Sequence, residues 1–273
     1  MTADFLTISP DAPVLGRIGT IETRLVRTED EVRAAQRLRY AIFHEELGAP
    51  TNSVARIQKR DEDEFDRYCE HLLVLDTSLP EPQQVVGTYR LLDKTAAQKA
   101  GGFYAESEFD IAPLVSRPDK NILELGRSCI VAPYRSRRTI EVMWQGIWAL
   151  VVQRKIDVLF GCASFIGSDP TEHKAALAWL GQNAIQTETK IAPAANAPAV
   201  HLINKNKTPT NLRAFAALPP LLKGYLRLGA KVAPHAVVDE SFGTIDVLVI
   251  LPVADIEKRY IAHYGSDASR FAA

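Results

Sequence analysis

Residues 20–27, TIETRLVR, alternate apolar and polar side chains, the two-residue period of a half-buried strand. The period then lengthens. Thr28-Glu29-Asp30-Glu31 has the S/T-x-x-E form of a capping box, and Val32, Ala35, Leu38 and Ile42 follow at helical spacing. A helix is expected to run to about Leu47, with Gly48 just past its end. Residues 1–18 carry Pro, Gly and Asp without periodicity and are expected to be a flexible arm.

Beyond a polar, turn-rich stretch at 49–68, HLLVLD (71–76) and QVVGTYRLL (84–92) predict two strands. Pro80 and Pro82 between them fit a hairpin connection. AESEFDIAPLV (105–115) reads as a short helix, and NILELGRSCIV (121–131) as a central strand interrupted by Gly126. In 139–155, Ile140, Met143, Trp144, Ile147, Leu150 and Val151 form one apolar helical face. DVLFGCASF (157–165) predicts a buried strand, and Asp169-Pro170-Thr171-Glu172 a cap for the helix after it. Residues 190–218 read as a long excursion, Pro219-Pro220 as a helix start, 241–252 as a strand and 254–264 as a closing helix.

The 273 residues allow two domains or one large α/β domain. With 47% hydrophobic residues the chain fills a core without a disulfide or metal staple. A net charge of −1 argues against a general nucleic-acid binder but leaves room for a local basic patch. Cys69, Cys129 and Cys162 are odd in number and widely spaced, so they read as reduced thiols in a cytoplasmic protein, with no metal ligand set assigned. The first residues lack the basic start and apolar run of a signal peptide. No apolar run approaches the ~20 residues of a spanning helix, so a peripheral contact at the inner membrane is the one membrane association left open.

Several enzyme templates fail: no G-x-G-x-x-G follows the first strand, and neither a P-loop nor H-E-x-x-H occurs. GCASFIG (161–167) does not match G-x-S-x-G. The informative segment is LELGRSCIVAPYRSRRTIEVMW (123–144), which leads from a strand through Arg135, Arg137 and Arg138 into a strong helix. A helix N-terminus with added arginines suits a phosphate; a solvated basic helix start accounts for the same pattern. Glu124 and Arg127, three apart, would face opposite sides of a regular strand, and a bulge at Gly126 would bring them together. A structural ion pair is the alternative. The acidic run Asp61 to Asp66 suits a cationic amine or a solvated loop, and Arg37, Arg39 and Arg90 are further cationic candidates for a carboxylate or phosphate that alone read as surface arginines.

Taken together these residues resemble a family. Arg37-x5-Phe43, Asp63-x-x-Asp66, Gly87-x-x-Arg90 and Glu124-x-x-Arg127 occur in that order, as in the acyl-homoserine-lactone synthase branch of the GNAT fold. LELGRSC, APYR, GCASFIGSDP, PPLLKGYLRLGA and FGTIDVLVILP look more like the L-ornithine N-alpha-acyltransferase family of ornithine-lipid synthesis. The resemblance covers roughly residues 20–260 and implies an α/β GNAT fold, a mixed central sheet flanked by helices, in a single domain over 19–273 with family-specific elements after about 190. It further implies transfer of a 3-hydroxyacyl chain from acyl carrier protein, on its 4'-phosphopantetheine, to the α-amine of ornithine, with no bound cofactor.

On that reading Glu124 is the base and Arg127 holds the ornithine carboxylate. Arg37, Phe43, Asp63, Asp66 and Arg90 form the acceptor site, with the two aspartates on the side-chain ammonium. Val131, Arg135, Ser136, Arg137 and Arg138 receive the phosphopantetheine. A backbone N–H between Cys129 and Val131 would polarise the thioester. Tyr134 and Tyr104 are the candidate acids for the thiolate. The Arg135-Ser136-Arg137-Arg138 loop lacks the glycines of the common acetyl-CoA diphosphate loop, which favours a carrier-protein donor. A lactone-type signal synthase using S-adenosylmethionine and a non-catalytic carrier-protein or membrane-binding module are the alternatives.

Overall fold

The computed structural model describes residues 8–81, 83–185, 190–202 and 212–257. In chain order the strands are β1 (Val14–Ile18), β2 (Ile21–Leu25), β3 (Glu70–Asp76), β4 (Val85–Asp93), β5 (Phe109–Asp110), β6 (Ile122–Ile130), β7 (Val158–Ile166), β8 (Ala192–Pro193), β9 (Ala199–His201), β10 (Lys231–Asp239) and β11 (Thr244–Pro252). The helices are α1 (Glu29–Tyr40), α2 (Ser53–Gln58), α3 (Lys94–Ala100), α4 (Ala112–Val115), α5 (Arg137–Gln153), α6 (Lys174–Asn183), α7 (Leu212–Ala216) and α8 (Pro220–Arg227). The chain divides into two compact units; the described part of the first is 8–102 with 123–156, and the second is 103–122 with 157–257.

In the first unit β1, β2, β3, β4 and β6 pair in that order, all antiparallel. α1 packs on one face, where Val32 and Ala35 meet Leu73 and Leu75. α5 packs on the other. A Cβ on Gly146 would fall 2.5 Å from Thr23 Cγ2, so glycine is what lets the helix lie down on β2. Thr23 pairs with Val74, whose side chain points away from Leu73, which fixes the two helices on opposite faces. The Thr28 hydroxyl accepts from the Glu31 N–H, while the Glu31 carboxylate takes the Arg27 N–H at 2.7 Å. Past Tyr40 the helix continues as a π turn over Ala41–Glu46, and Gly48 takes the left-handed conformation after it, at φ 75°.

In the second unit β7 pairs antiparallel with β11, β11 with β10 and β10 with β9, while β5 and β8 make a separate ribbon. A parallel bridge joins Ile185 to Val232. Among the described residues no helix is long and apolar enough to cross a membrane. Cys69 and Cys129 are buried and in no disulfide, and Cys162, also in none, is half-buried.

Several expectations are revised. Residues 14–18, assigned to the arm, form β1, an edge strand closed onto β2 by the turn at Gly19. The helix expected over 105–115 is a 3-10 turn, the short β5 and one turn of α4. Asp169 binds Thr171 in a local turn, and α6 begins only at Lys174. β10 was not anticipated at all: Pro234 interrupts its pattern, and the register against β11 shifts between Val232 and Ala236 to accommodate it. Of the closing helix, Val253–Asp255 form a 3-10 turn and residues 258–264 lie outside the described residues.

Candidate active site

The apolar face of α1 carries two polar residues, Gln36 and Arg39, both fully buried. They meet the loop after α2. Arg39 grips Asp66 with two parallel hydrogen bonds, Nη1 to Oδ1 at 2.9 Å and Nη2 to Oδ2 at 2.7 Å. Its Nε lies 2.8 Å from Asp61 Oδ2, and Nη2 also donates to the Asp61 carbonyl. Gln36 Nε2 donates to Asp66 Oδ2 at 3.1 Å. Asp63 caps the 3-10 turn Glu64–Arg67 and receives the Asp66 carboxylate on its own N–H, so the capping box sets both aspartates.

From the sheet side, Arg90 Nη1 reaches Asp63 Oδ1 at 2.6 Å and Asp66 Oδ1 at 3.2 Å. Arg127 Nη2 reaches Asp63 Oδ2 at 3.2 Å, with its Nε 3.4 Å from Asp61 Oδ2. Three guanidinium groups thus interlock with three carboxylates. Burial opposes ionisation of Asp61 and Asp66, yet the Arg39 charge outweighs it and holds both carboxyls well below the usual range. Burial likewise opposes the charged form of Arg90, and Asp63 overrides it and raises its pKa. Burial pushes the His71 imidazole down to about 4; its Nε2 lies 3.0 Å from the Asp66 carbonyl.

β6 carries the bulge, centred on Arg127. Thr88 pairs with Cys129 but Arg90 with Gly126, so Arg127 and Ser128 together oppose Tyr89. Arg127 adopts φ 50°, a left-handed conformation that arginine rarely takes, while Gly126 keeps an ordinary φ. Leu92 pairs with Glu124 and Arg90 with Gly126, so Glu124 and Arg90 share the face that α1 covers. Arg127 turns to that same face and meets Asp63. Glu124 is buried.

On the donor side, Ser136 caps α5 through Thr139. Arg135 is clamped on Glu46 at 2.5 and 2.7 Å and donates from Nε to the Ile130 carbonyl. Arg138 donates to the Ile18 carbonyl at 2.6 Å, and Arg137 is exposed. The Val131 N–H donates to the Val86 carbonyl at 3.0 Å. The Tyr134 hydroxyl donates to Asp76 at 2.7 Å, which raises its pKa and ties up that proton. Phe43 is half-buried against Leu38, Ile42 and Cys129. Tyr104 lies in the second unit.

Residues 38–145 match the acetyltransferase (GNAT) domain family. A protein of Brucella abortus (strain 2308) named L-ornithine N(alpha)-acyltransferase is 48% identical over 96% of this chain and 94% of its own length. The chain belongs to the L-ornithine N(alpha)-acyltransferase family. A Rhizobium meliloti (strain 1021) relative of the same name is 47% identical over 97% of this chain and 90% of its own. Among solved structures, the N-acyl amino acid synthase FeeM from uncultured soil microbes is 12% identical, with a TM-score of 0.42 over 86% of this chain and 90% of that one.

In this member of the L-ornithine N(alpha)-acyltransferase family, an acyltransferase with a GNAT domain, the structure joins Asp63, Asp66, Arg90 and Arg127 and sets Arg37 apart. Arg37 is exposed on α1, and the buried arginines are Arg39 and Arg90, not surface groups. The signal for Arg39 was in the helical spacing: Val32, Gln36, Arg39 and Phe43 recur every three or four residues and fall on one face with the core. Asp61 was visible only as one acid in a run.

Proposed function

We propose that this acyltransferase moves a 3-hydroxyacyl chain from the phosphopantetheine thioester of acyl carrier protein to the α-amine of L-ornithine, giving lyso-ornithine lipid. The carrying observation is near-full-length identity of 48% and 47% to two proteins bearing that name.

The chemistry assigned to the site runs as follows. Ornithine's α-ammonium gives a proton to Glu124, directly or through one water. The freed amine attacks the thioester carbonyl, the tetrahedral intermediate collapses with cleavage of the C–S bond, and the proton that the new amide nitrogen sheds goes to the departing thiolate, directly or through solvent. Of the three loop aspartates, Asp63 has a side chain 25% exposed, against 9% for Asp61 and 1% for Asp66. Asp63 is therefore the acceptor-facing carboxylate for the side-chain ammonium, and Asp66 a positioning residue. Arg90 and Arg127 hold Asp63, and Arg127 is the guanidinium offered to the ornithine carboxylate. Phe43 contributes apolar wall. Arg135 fixes the start of α5 through Glu46, leaving Arg137 and the helix N-terminus for the single phosphopantetheine phosphate. A product with one acyl chain and a polar head partitions to a lipid surface, so the reading includes peripheral contact with the inner membrane.

The test is purified protein with L-ornithine and 3-hydroxyacyl-acyl carrier protein, read by mass spectrometry. The reading expects an α-amide of ornithine and a Glu124→Gln variant slower in kcat by about 10²–10⁴-fold, with little change in donor KM. Failure to acylate ornithine, or equal use of free acyl-CoA, overturns the substrate or the donor assignment respectively.

A further inference from the structure

A second cluster of chemistry-bearing side chains lies wholly within the second unit. Glu108, just before β5, Cys162 on β7 and Asp246 on β11 bring two carboxylate oxygens and a sulfur within 4.8 Å of one another. The scaffold explains the meeting. Asp246 pairs with Ser164 across the β7–β11 ladder, so Cys162, two residues before Ser164, is its diagonal neighbour on the same face. The Glu108 main chain is anchored at both ends, its N–H on the Ala105 carbonyl at 3.1 Å and its carbonyl under the Ala194 N–H at 2.8 Å. The pairing of Phe109 with Pro193 follows at once. All three side chains therefore project from hydrogen-bonded main chain.

Glu108 and Asp246 are 6% and 5% exposed. Glu108 Oε2 is buried and has no hydrogen-bond partner. A buried carboxylate oxygen without a donor is costly, and a second carboxylate beside it adds repulsion; a cation relieves both. The sulfur decides which cation. Thiolate ligands select zinc over magnesium or calcium, which prefer oxygen throughout. Zn–S and Zn–O bonds of about 2.3 and 2.1 Å at a tetrahedral angle set ligand atoms about 3.6 Å apart, a small side-chain rotation from the separation seen. Cys162 is half-buried and Ser164 next to it on the same face is exposed, which gives an ion a way in.

We propose that Glu108, Cys162 and Asp246 form a zinc site, with the fourth position taken by water or another donor. Binding replaces the thiol proton of Cys162, and any proton held between the two carboxyls, with the metal; those protons go to solvent. The ion ties the segment before β5 to the β7–β11 ladder. Separate positions in the chain, 108, 162 and 246, hide this set from any spacing motif.

The experiment uses the full chain purified without chelator or metal-affinity resin. Elemental analysis is expected to give about one zinc per chain. After the metal is stripped, one equivalent of Co²⁺ is expected to produce a thiolate-to-cobalt charge-transfer band in the near ultraviolet. Cys162→Ser is expected to abolish the band, and Glu108→Gln to weaken Co²⁺ affinity at least tenfold. Wild-type protein that holds no zinc and gives no band overturns the site, whether or not the variants fold. A band that survives in folded Cys162→Ser overturns it as well.

Discussion

Arg39 and Asp66 face each other as two forks, with bonds of 2.9 and 2.7 Å and both side chains 1% exposed. Breaking such a pair strands a buried charge, which costs about 3–5 kcal/mol, whereas replacing both members with apolar groups removes the desolvation penalty too. Asp66→Asn is expected to lower stability by about that amount in urea unfolding. Arg39→Met with Asp66→Leu and Asp61→Asn, which leaves neither buried carboxylate without its guanidinium, is expected to recover part of the loss. An Asp66→Asn protein as stable as the wild type would show that the fork does not hold α1 to its loop.

Arg127 combines a charge with a left-handed backbone, and the two roles can be separated. Arg127→Asn keeps a residue that tolerates φ 50° and removes the guanidinium from Asp63. Arg127→Val removes the charge and adds a β-branch where positive φ is worst tolerated, a further penalty of about 1–2 kcal/mol. Both variants are expected to lose acyl transfer. Only Val is expected to lower the urea midpoint beyond Asn, and equal midpoints would remove the bulge strain from the account.

All three arginines of the basic loop are exposed, and Arg135 and Arg138 are bound to Glu46 and the Ile18 carbonyl, so Arg137 is the one tested for the donor. Arg137→Ala is expected to raise the acyl-donor KM by roughly fivefold, equivalent to about 1 kcal/mol, and to leave unfolding unchanged. Raising salt shortens the Debye length from about 10 Å at 0.1 M to about 3 Å at 1 M, so wild-type donor KM is expected to climb with salt and the variant's to climb less. Indifference of the donor KM to both the variant and salt would make this loop a plain helix start.

His71 is buried and holds its pKa near 4, below the ordinary 6.5. The unfolded chain takes up a proton as pH falls through 6.5 while the folded chain stays neutral, so stability drops from pH 6.5 and levels off near pH 4. A shift of that size corresponds to about 3 kcal/mol. Neighbouring groups act in other windows. His44 is raised by the hydrogen bond it donates to the Asp61 carboxylate, so its contribution is complete below pH 6.5 and fades only above it. Asp61 and Asp66, held low against burial by Arg39, lose theirs at more acid pH. Urea midpoints of wild type and His71→Gln at pH 4.5 and 7 check this: the variant is expected to lack most of the drop, and a parallel drop in both would assign it elsewhere.

Long periodic segments with capping residues were legible: Thr28 and Glu31 marked α1, and the apolar face of 139–155 marked α5. β10 was not, because a proline in mid-strand conceals the alternation that its bulge restores. In the site, Glu124 and Arg127 were readable together since both sit on one strand with a glycine between. Their partners were harder. Arg39, Asp61, Arg90 and Arg127 come from four chain segments, and burial, which turns a surface-type arginine into a structural one, is a property of packing. The Val131 N–H likewise meets the Val86 carbonyl only once the sheet is folded.

The division of the chain has a consequence for its birth on the ribosome. Residues 103–122 belong with 157–257, yet they emerge before β6 and α5 complete the other unit. β5 at Phe109 waits for its partner Pro193, 84 residues later. At synthesis rates of about 5–20 residues per second that is roughly 4–17 seconds. During that interval a nascent chain carries an unpaired strand flanked by Phe103 and Ile111, side chains that end up buried. Chaperone demand during translation should therefore peak while this stretch is being held, and a stop between residues 123 and 155 should release a chain that lacks part of both units.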